Sequence, residues 1–219
     1  GAGKSQLVGL LTRPKDPSDG RVLINGVDLR EYSMETVKRH YGIVPQASTL
    51  FEDTVLGNTH FGVSHLDLER LISAPGLDTR ARTALVKAGH EDLSRTLERK
   101  LGYKGMRLSG GQQQRLMAAQ ALFKEPLLVI GDELTSALDS LSEDKVLEAL
   151  YEHLPSTTSI VLIAHRLSTL RPCTKFVLVK PLERCREDES QVVSATSMRK
   201  LYDTEPVFRE LADAQKFQV

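Results

Sequence analysis

Two short apolar runs, Leu127-Leu128-Val129-Ile130 and Ser159-Ile160-Val161-Leu162-Ile163-Ala164, constrain this chain more than any other feature. Each is continuous rather than alternating, as a strand covered on both faces by a parallel sheet's helices must be. Between them Ser140 and Glu143 stand at capping-box spacing, ahead of Val146, Leu147, Leu150 and Leu154 on one helical face. Strand, helix, strand is a crossover unit, and it predicts parallel pairing. Tyr41-Gly42-Ile43-Val44-Pro45 reads as another strand, closed by its proline, and Lys175-Phe176-Val177-Leu178-Val179 as a third buried one after the first two. The pattern predicts an α/β fold around a mostly parallel sheet.

The rest of the chain fits around that core. Gly1-Ala2-Gly3-Lys4-Ser5 is a glycine turn opening an apolar helix that should stop before Pro14. Asn25-Gly26, between Arg21–Ile24 and Val27–Leu29, is a tight antiparallel hairpin signal. Ser33 can cap a helix over Met34 to His40. From Ala47 to Lys100 the pattern turns helical and polar, with Leu66, Leu68, Leu71 and Ile72 forming one stripe and Leu85, Val86 and Leu93 belonging to others. A helix from about Gln112 to Pro126 carries Leu116, Met117, Ala119, Ala121 and Leu122 as its apolar side, and Leu201, Val207, Phe208 and Leu211 suggest closing helices. Residues 1–46 and 116–219 would form the α/β core, and 47–115 an inserted helical subdomain.

Composition excludes several functions. The 219 residues suffice for one substantial core, and 29 basic side chains balance 29 acidic ones, so no broad basic face for nucleic acid is implied. No apolar run approaches the roughly 20 residues needed to cross a bilayer. A membrane role would come through a partner or further sequence. Cys173 and Cys185 are too few for a disulfide framework and fit a reducing compartment. Gly1 is no initiator methionine and no signal peptide comes after it, so a segment of a longer polypeptide is expected.

Several constellations carry phosphate chemistry. Gly3, Lys4 and Ser5 match the end of the G-x-x-x-x-G-K-[ST] loop, in which backbone N–H groups cradle phosphates, the lysine reaches the β/γ-phosphates and the hydroxyl holds Mg²⁺. Leu108-Ser109-Gly110-Gly111-Gln112 leaves backbone N–H groups open at a helix start, a second phosphate clamp, although a plain capping turn explains the same residues. Asp132-Glu133 comes just after a buried strand and so emerges at the sheet's C-terminal edge, where open α/β sheets bind ligands. Gln46 and His165 each stand just past a strand; alone, one would be loop and the other a structural histidine.

Taken in order and spacing, these motifs resemble those of ATP-binding cassette (ABC) ATPases, and the resemblance spans the chain. It implies a P-loop NTPase, RecA-like core with an antiparallel β segment and an inserted helical subdomain. It assigns Gly1, Gly3, Lys4, Ser5 and Gln6 to the phosphate loop, with Ser5, Gln46 and Asp132 on Mg²⁺. Glu133 would polarise the attacking water, and Gln46 and His165 would complete the catalytic set. Ser109, Gly110, Gly111 and Gln112 would close the ATP site of a second cassette across a dimer, with Ser136-Ala137-Leu138-Asp139 at the interface. Val44-Pro45-Gln46, Leu50-Phe51-Glu52-Asp53-Thr54-Val55 and Ile163-Ala164-His165-Arg166-Leu167-Ser168-Thr169 look like exporter cassettes of the multidrug and peptide type. The implied setting is the cytoplasmic face of a membrane, coupled to a transmembrane domain. A soluble ABC ATPase and a regulatory cassette with poor turnover are the alternatives. Four residues depart from the family pattern: Gly131 before the aspartate, Leu134 after the glutamate, Gln120 in place of a common arginine, and Tyr103 where exporters often carry glutamate.

Overall fold

The computed structural model describes residues 2–63, 67–69, 76–133, 140–185 and 189–219. Gly1, Leu66, Leu71, Ile72, Leu134 and residues 136–139 lie outside them. Three strands, β3 (Tyr41–Val44), β4 (Leu128–Asp132) and β5 (Ser159–Ile163), pair in parallel with β4 central. Gly131 sits between Val44 and Leu162 in an unbroken ladder. The Asn25-Gly26 hairpin forms as expected: Leu23–Ile24 (β1) pairs antiparallel with Val27–Asp28 (β2), and both turn residues have positive φ, 51° and 80°, as a type I′ turn needs. Helix α1 spans Lys4–Thr12, and α2, Met34–His40, is capped by the Ser33 hydroxyl.

The inserted stretch carries α3 (Val55–Thr59), α4 (Leu77–Lys87) and α5 (Glu91–Ser94), and then α6 (Gly110–Lys124) begins. Helix α6 starts at Gly110, two residues before the expected position, because Ser109 caps it. Nor does it have one apolar side. Every residue from Leu116 to Phe123 is buried, since α6 lies between β3, α7 (Ser140–His153), α3 and α4. One cluster therefore runs from Leu85, Leu93 and Leu101 through Leu116 and Phe123 to Val129 and Leu150. Each fully buried leucine in it contributes roughly 2 kcal/mol of burial. Gln120, inside that cluster, satisfies its amide by donating to the Asn58 carbonyl at 2.8 Å. That bond ties α6 to α3 at the position where the family pattern has arginine.

One expectation needs correction. The Lys175–Val179 run does not join the parallel sheet: Phe176–Val179 (β6) pairs antiparallel with Val192–Ala195 (β7). Only Phe176 of β6 is buried and Val177 is 57 % exposed, so this hairpin is wet on one face. It packs through Phe176 and Ala195 on Leu167, Met198, Leu201 and Phe208, the last three from α8 (Met198–Thr204) and α9 (Pro206–Ala214). The Glu143 carboxylate accepts from Arg166 Nη1 at 2.8 Å and from the Thr169 hydroxyl. It is buried, and a buried charge is best met by a guanidinium.

The surroundings of α6 lead to two measurements. A Cβ on Gly42 would lie 3.1 Å from Pro126 Cγ and 3.2 Å from Ala121 Cβ. Gly42→Val is expected to cost about 1–3 kcal/mol by overpacking, read as a lower urea midpoint, with Gly42→Ala milder. Lys124 Nζ, at the end of α6, donates to the Lys38 and Tyr41 carbonyls at 2.7 and 2.6 Å, and burial pushes its pKa down to about 8. The unfolded chain holds that proton to higher pH, so it binds more protons above pH 8 and stability rises from about pH 8 towards 10. Lys124→Met should flatten that rise in chemical denaturation curves; an unchanged slope would show that Lys124 is not its source.

Candidate functional site

Parallel register explains how distant residues meet. Val44 pairs with Gly131, and Asp132 with Ile163, so the residues just beyond the three strands leave from one edge of the sheet. Gln46 stands past the end of β3, Glu133 past β4 and His165 past β5. Gln46 Nε2 donates to Glu133 Oε2 at 2.7 Å, and His165 Nε2 lies 2.6 Å from Oε1. The carboxylate is mostly buried while the imidazole is 64 % exposed. The carboxylate thus has a neighbour at each oxygen and keeps lone pairs for a further donor, such as a water. Glu133 itself stands at φ 47°, a conformation costing a non-glycine residue about 1 kcal/mol or more. Its N–H still donates to the Ile163 carbonyl at 2.9 Å, which extends the ladder one residue past Asp132.

Asp132 is the neighbour that lacks a partner. Its Oδ1 is buried and has no hydrogen-bond partner among the described residues. A buried carboxylate oxygen without a donor is costly, and a cation would relieve that cost. Among the described residues no group of three or more His, Cys, Asp and Glu forms a metal cage. One carboxylate with no cage suits Mg²⁺, which keeps several waters and is held by one or two carboxylates and by substrate phosphates.

At the phosphate loop, Gly3 has φ 89° and immediately precedes α1, so the chain turns sharply into Lys4. Only glycine takes that conformation without strain. Ser5 and Gln6 are exposed on the first helical turn. Gln191, which the motifs did not single out, anchors the loop: its Nε2 donates to the Ala2 and Lys180 carbonyls, both at 3.0 Å.

The signature turn serves both as a cap and as an open helix start. Ser109 Oγ accepts from Gln112 N at 3.3 Å while Gln112 Oε1 accepts from Ser109 N at 2.9 Å, a complete capping box. Ser109 and Gly110 are exposed, and a Cβ on Gly110 would meet nothing within 4 Å. The box occupies the Ser109 and Gln112 N–H groups and leaves those of Gly110 and Gly111 for a ligand from outside. Behind them His90 is buried, its Nε2 2.7 Å from the Gln112 carbonyl. Burial lowers its pKa, which favours the neutral ring donating there. Gln114 Nε2 donates to the Gln46 carbonyl at 3.0 Å, so the helix that begins at the signature reaches the loop bearing Gln46.

The structure thus brings Gln46, Glu133 and His165 together, with Asp132 adjacent. Among the described residues no hydrogen bond or ion pair links Lys4 or Ser5 to Ser109, Gly110, Gly111 or Gln112. His90, Gln114 and Gln191 belong to none of the motifs. Gln114 had one available signal, a polar residue on a helix otherwise built to be buried.

The family model described as ABC transporter matches residues 1–136. The chain belongs to the ABC transporter family. It is 33 % identical over 220 residues to the mitochondrial iron-sulfur clusters transporter ATM1 of Chaetomium globosum, covering 100 % of this chain and 34 % of that protein. It is 40 % identical over 185 residues to the ATP-dependent lipid A-core flippase of Methylobacillus flagellatus, covering 82 % and 30 %. A solved structure described as a bacterial Atm1-family ABC exporter with ATP bound superposes with TM-score 0.78 at 29 % identity, covering 99 % of this chain and 36 % of that one. The chain spans about a third of the length of these relatives. The fold they share with it is the ABC ATPase core, a parallel sheet with added antiparallel strands.

The capping box makes one property of the signature separable from ligand binding. Ser109→Ala is expected to lower stability by about 1 kcal/mol without any nucleotide, measured by urea denaturation, because it removes the cap of α6. An unchanged midpoint would mean that the cap does not support the helix.

Proposed function

We propose that this chain is the ATP-binding and ATP-hydrolysing cassette of an ABC exporter, working as one half of an ATP-sandwich dimer attached to a transmembrane domain. The observation that carries the reading is the Glu133 carboxylate, aimed by Gln46 and His165 beside the unpartnered Asp132 oxygen. Phosphoryl transfer needs positioning and charge neutralisation more than covalent help. Gly1, Gly3, Lys4, Ser5 and Gln6 would wrap the phosphates, with Lys4 on the β/γ oxygens. Ser5, Asp132 and Gln46 would hold Mg²⁺, which would supply neutralising charge between the phosphate oxygens. Glu133 orients and polarises the water that attacks the γ-phosphorus. His165 gives up its bond to Glu133 and turns its exposed ring towards the γ-phosphate. Ser109, Gly110, Gly111 and Gln112 would close on the ATP held by the other cassette, Gly110 and Gly111 through open N–H groups and Ser109 through its exposed hydroxyl.

The surface near Gln46 supports a membrane-domain partner. Phe51 and Phe61 stack with centroids 4.1 Å apart, both nearly half exposed. Gly105 packs on Leu50 so tightly that a Cβ would lie 2.6 Å from Leu50 Cδ1, which holds the exposed Tyr103 and Met106 on the same subdomain. Exposed aromatic and methionine side chains of this kind mark a docking surface. No helix among the described residues is long and apolar enough to cross a membrane, so spanning segments would lie elsewhere in the polypeptide or on a partner. In this reading residues 47–115 move relative to 1–46 and 116–219, with the Gln46 loop as the link, at the cytoplasmic face. Similarity to the ATM1 transporter and to the lipid A-core flippase favours an exporter over a soluble ABC ATPase. The presence of Lys4, Asp132, Glu133 and His165 favours turnover over a regulatory cassette.

The test uses the full-length protein. Glu133→Gln should retain ATP binding while steady-state hydrolysis falls by about 100-fold or more, and Lys4→Ala should lose binding itself. Unchanged turnover in Glu133→Gln would remove that residue from the proposed role.

A further inference from the structure

The C-terminal tail after α9 reaches back to the segment that carries His165. Helix α9 stops at Gln215 in a Schellman turn: Phe217 N donates to the Ala212 carbonyl at 2.9 Å and Lys216 N to the Asp213 carbonyl at 3.0 Å. The turn places Lys216 at φ 50°, where glycine is the usual occupant. A strained residue persists only where its surroundings hold it. Here they do. Phe217 packs back against the cluster containing Leu167 and Leu170, and Arg171 lies over its ring at 5.2 Å.

The turn aims the Gln215 side chain at backbone. Its Nε2 donates to the His165 carbonyl at 2.6 Å, and its Oε1 accepts from Leu167 N at 3.0 Å. One amide therefore grips both sides of Arg166 as a neighbouring strand would. Neither glutamate, which lacks the donor, nor an apolar side chain can make both bonds. Glu143 holds the same segment from the other side, through Arg166 and Thr169. The exposed imidazole of His165 thus stands on a backbone fixed from two directions.

We propose that Gln215 is a positioning residue for ATP hydrolysis, setting the His165 backbone so that its ring alternates between Glu133 and the γ-phosphate. The inference rests on the role given to His165 above. Holding a group within a fraction of an ångström controls rate more than it controls substrate affinity.

The experiment compares Gln215→Met and Gln215→Glu with the parent in the full-length protein. Gln215→Met should lower kcat about tenfold, with KM for ATP within about twofold and the thermal midpoint within about 2 °C. Hydrogen exchange at the Leu167 amide should accelerate in that variant. Gln215→Glu keeps the acceptor for Leu167, so it should restore exchange protection at that amide but not kcat; it also serves if Gln215→Met fails to fold. In a His165→Ala background the Gln215 changes should add nothing further, since both act through one ring. Full additivity there, or a loss expressed in KM alone, overturns the proposal. If His165→Ala itself hydrolyses ATP normally, the reading of His165 fails and this inference with it. If His165→Ala is impaired while both Gln215 variants keep full kcat, only the inference fails.

Discussion

Helix α6 is sheathed by protein along most of its length, so each polar group on it must find a partner inside the fold or be lost at a cost of kilocalories. Most do, although Gln114 Oε1 and Arg115 Nε stay buried without one among the described residues. Ser109 and Gln112 satisfy the start of the helix, Gln114 reaches the Gln46 carbonyl, Gln120 the Asn58 carbonyl, and Lys124 the Lys38 and Tyr41 carbonyls. These partners belong to the Gln46 loop, to α3, to the end of α2 and to the strand beside the helix. A displacement of α6 would break several such bonds at once. In the proposed dimer a partner meeting the signature turn would be felt at Gln46 through this one buried rod, by way of Gln114.

The sheet edge uses the opposite strategy. There the fold tolerates a positive φ at Glu133 and an unpaired oxygen on Asp132, both next to a fully regular ladder. Regular pairing up to Gly131 keeps the irregularity in place, since the strands cannot slip to relieve it. Gly131, which as an isolated departure suggests a loosened strand end, is buried and paired on both sides. Its lack of a side chain removes packing, but the backbone bonds that place Asp132 remain.

Much of this is legible in the sequence because local chemistry and global topology agree. Asn25-Gly26 can hardly do anything but turn, Ser33 caps the helix that begins at Met34, and the Leu127–Ile130 run supplies the central strand. Gln46, Glu133 and His165 are legible as a set because each stands just past a strand of one parallel sheet. The failures share a cause: they depend on the groups that lie on the far side of a residue. The Lys175–Val179 run has the composition of a doubly covered strand, yet only Phe176 is fully buried, with Leu178 half-buried against the same cluster. Arg166 and Thr169 meet the Glu143 carboxylate only after folding, from 23 and 26 residues away, and no local pattern announces that contact. Gln114, Gln191 and Gln215 carry no local pattern of their role, because an amide is useful only once a carbonyl or an N–H stands opposite it.

Those three glutamines share a further property. Each donates to a main-chain carbonyl in or beside a candidate ligand-binding segment: Gln46 for Gln114, Ala2 for Gln191, His165 for Gln215. A neutral amide does this without adding charge near a polyphosphate, where lysine would compete for the anion and glutamate would repel it. The division of labour is physical: amides fix the backbone, and in the proposed function Lys4, Asp132, Glu133 and His165 would be left to act on the nucleotide and its cation.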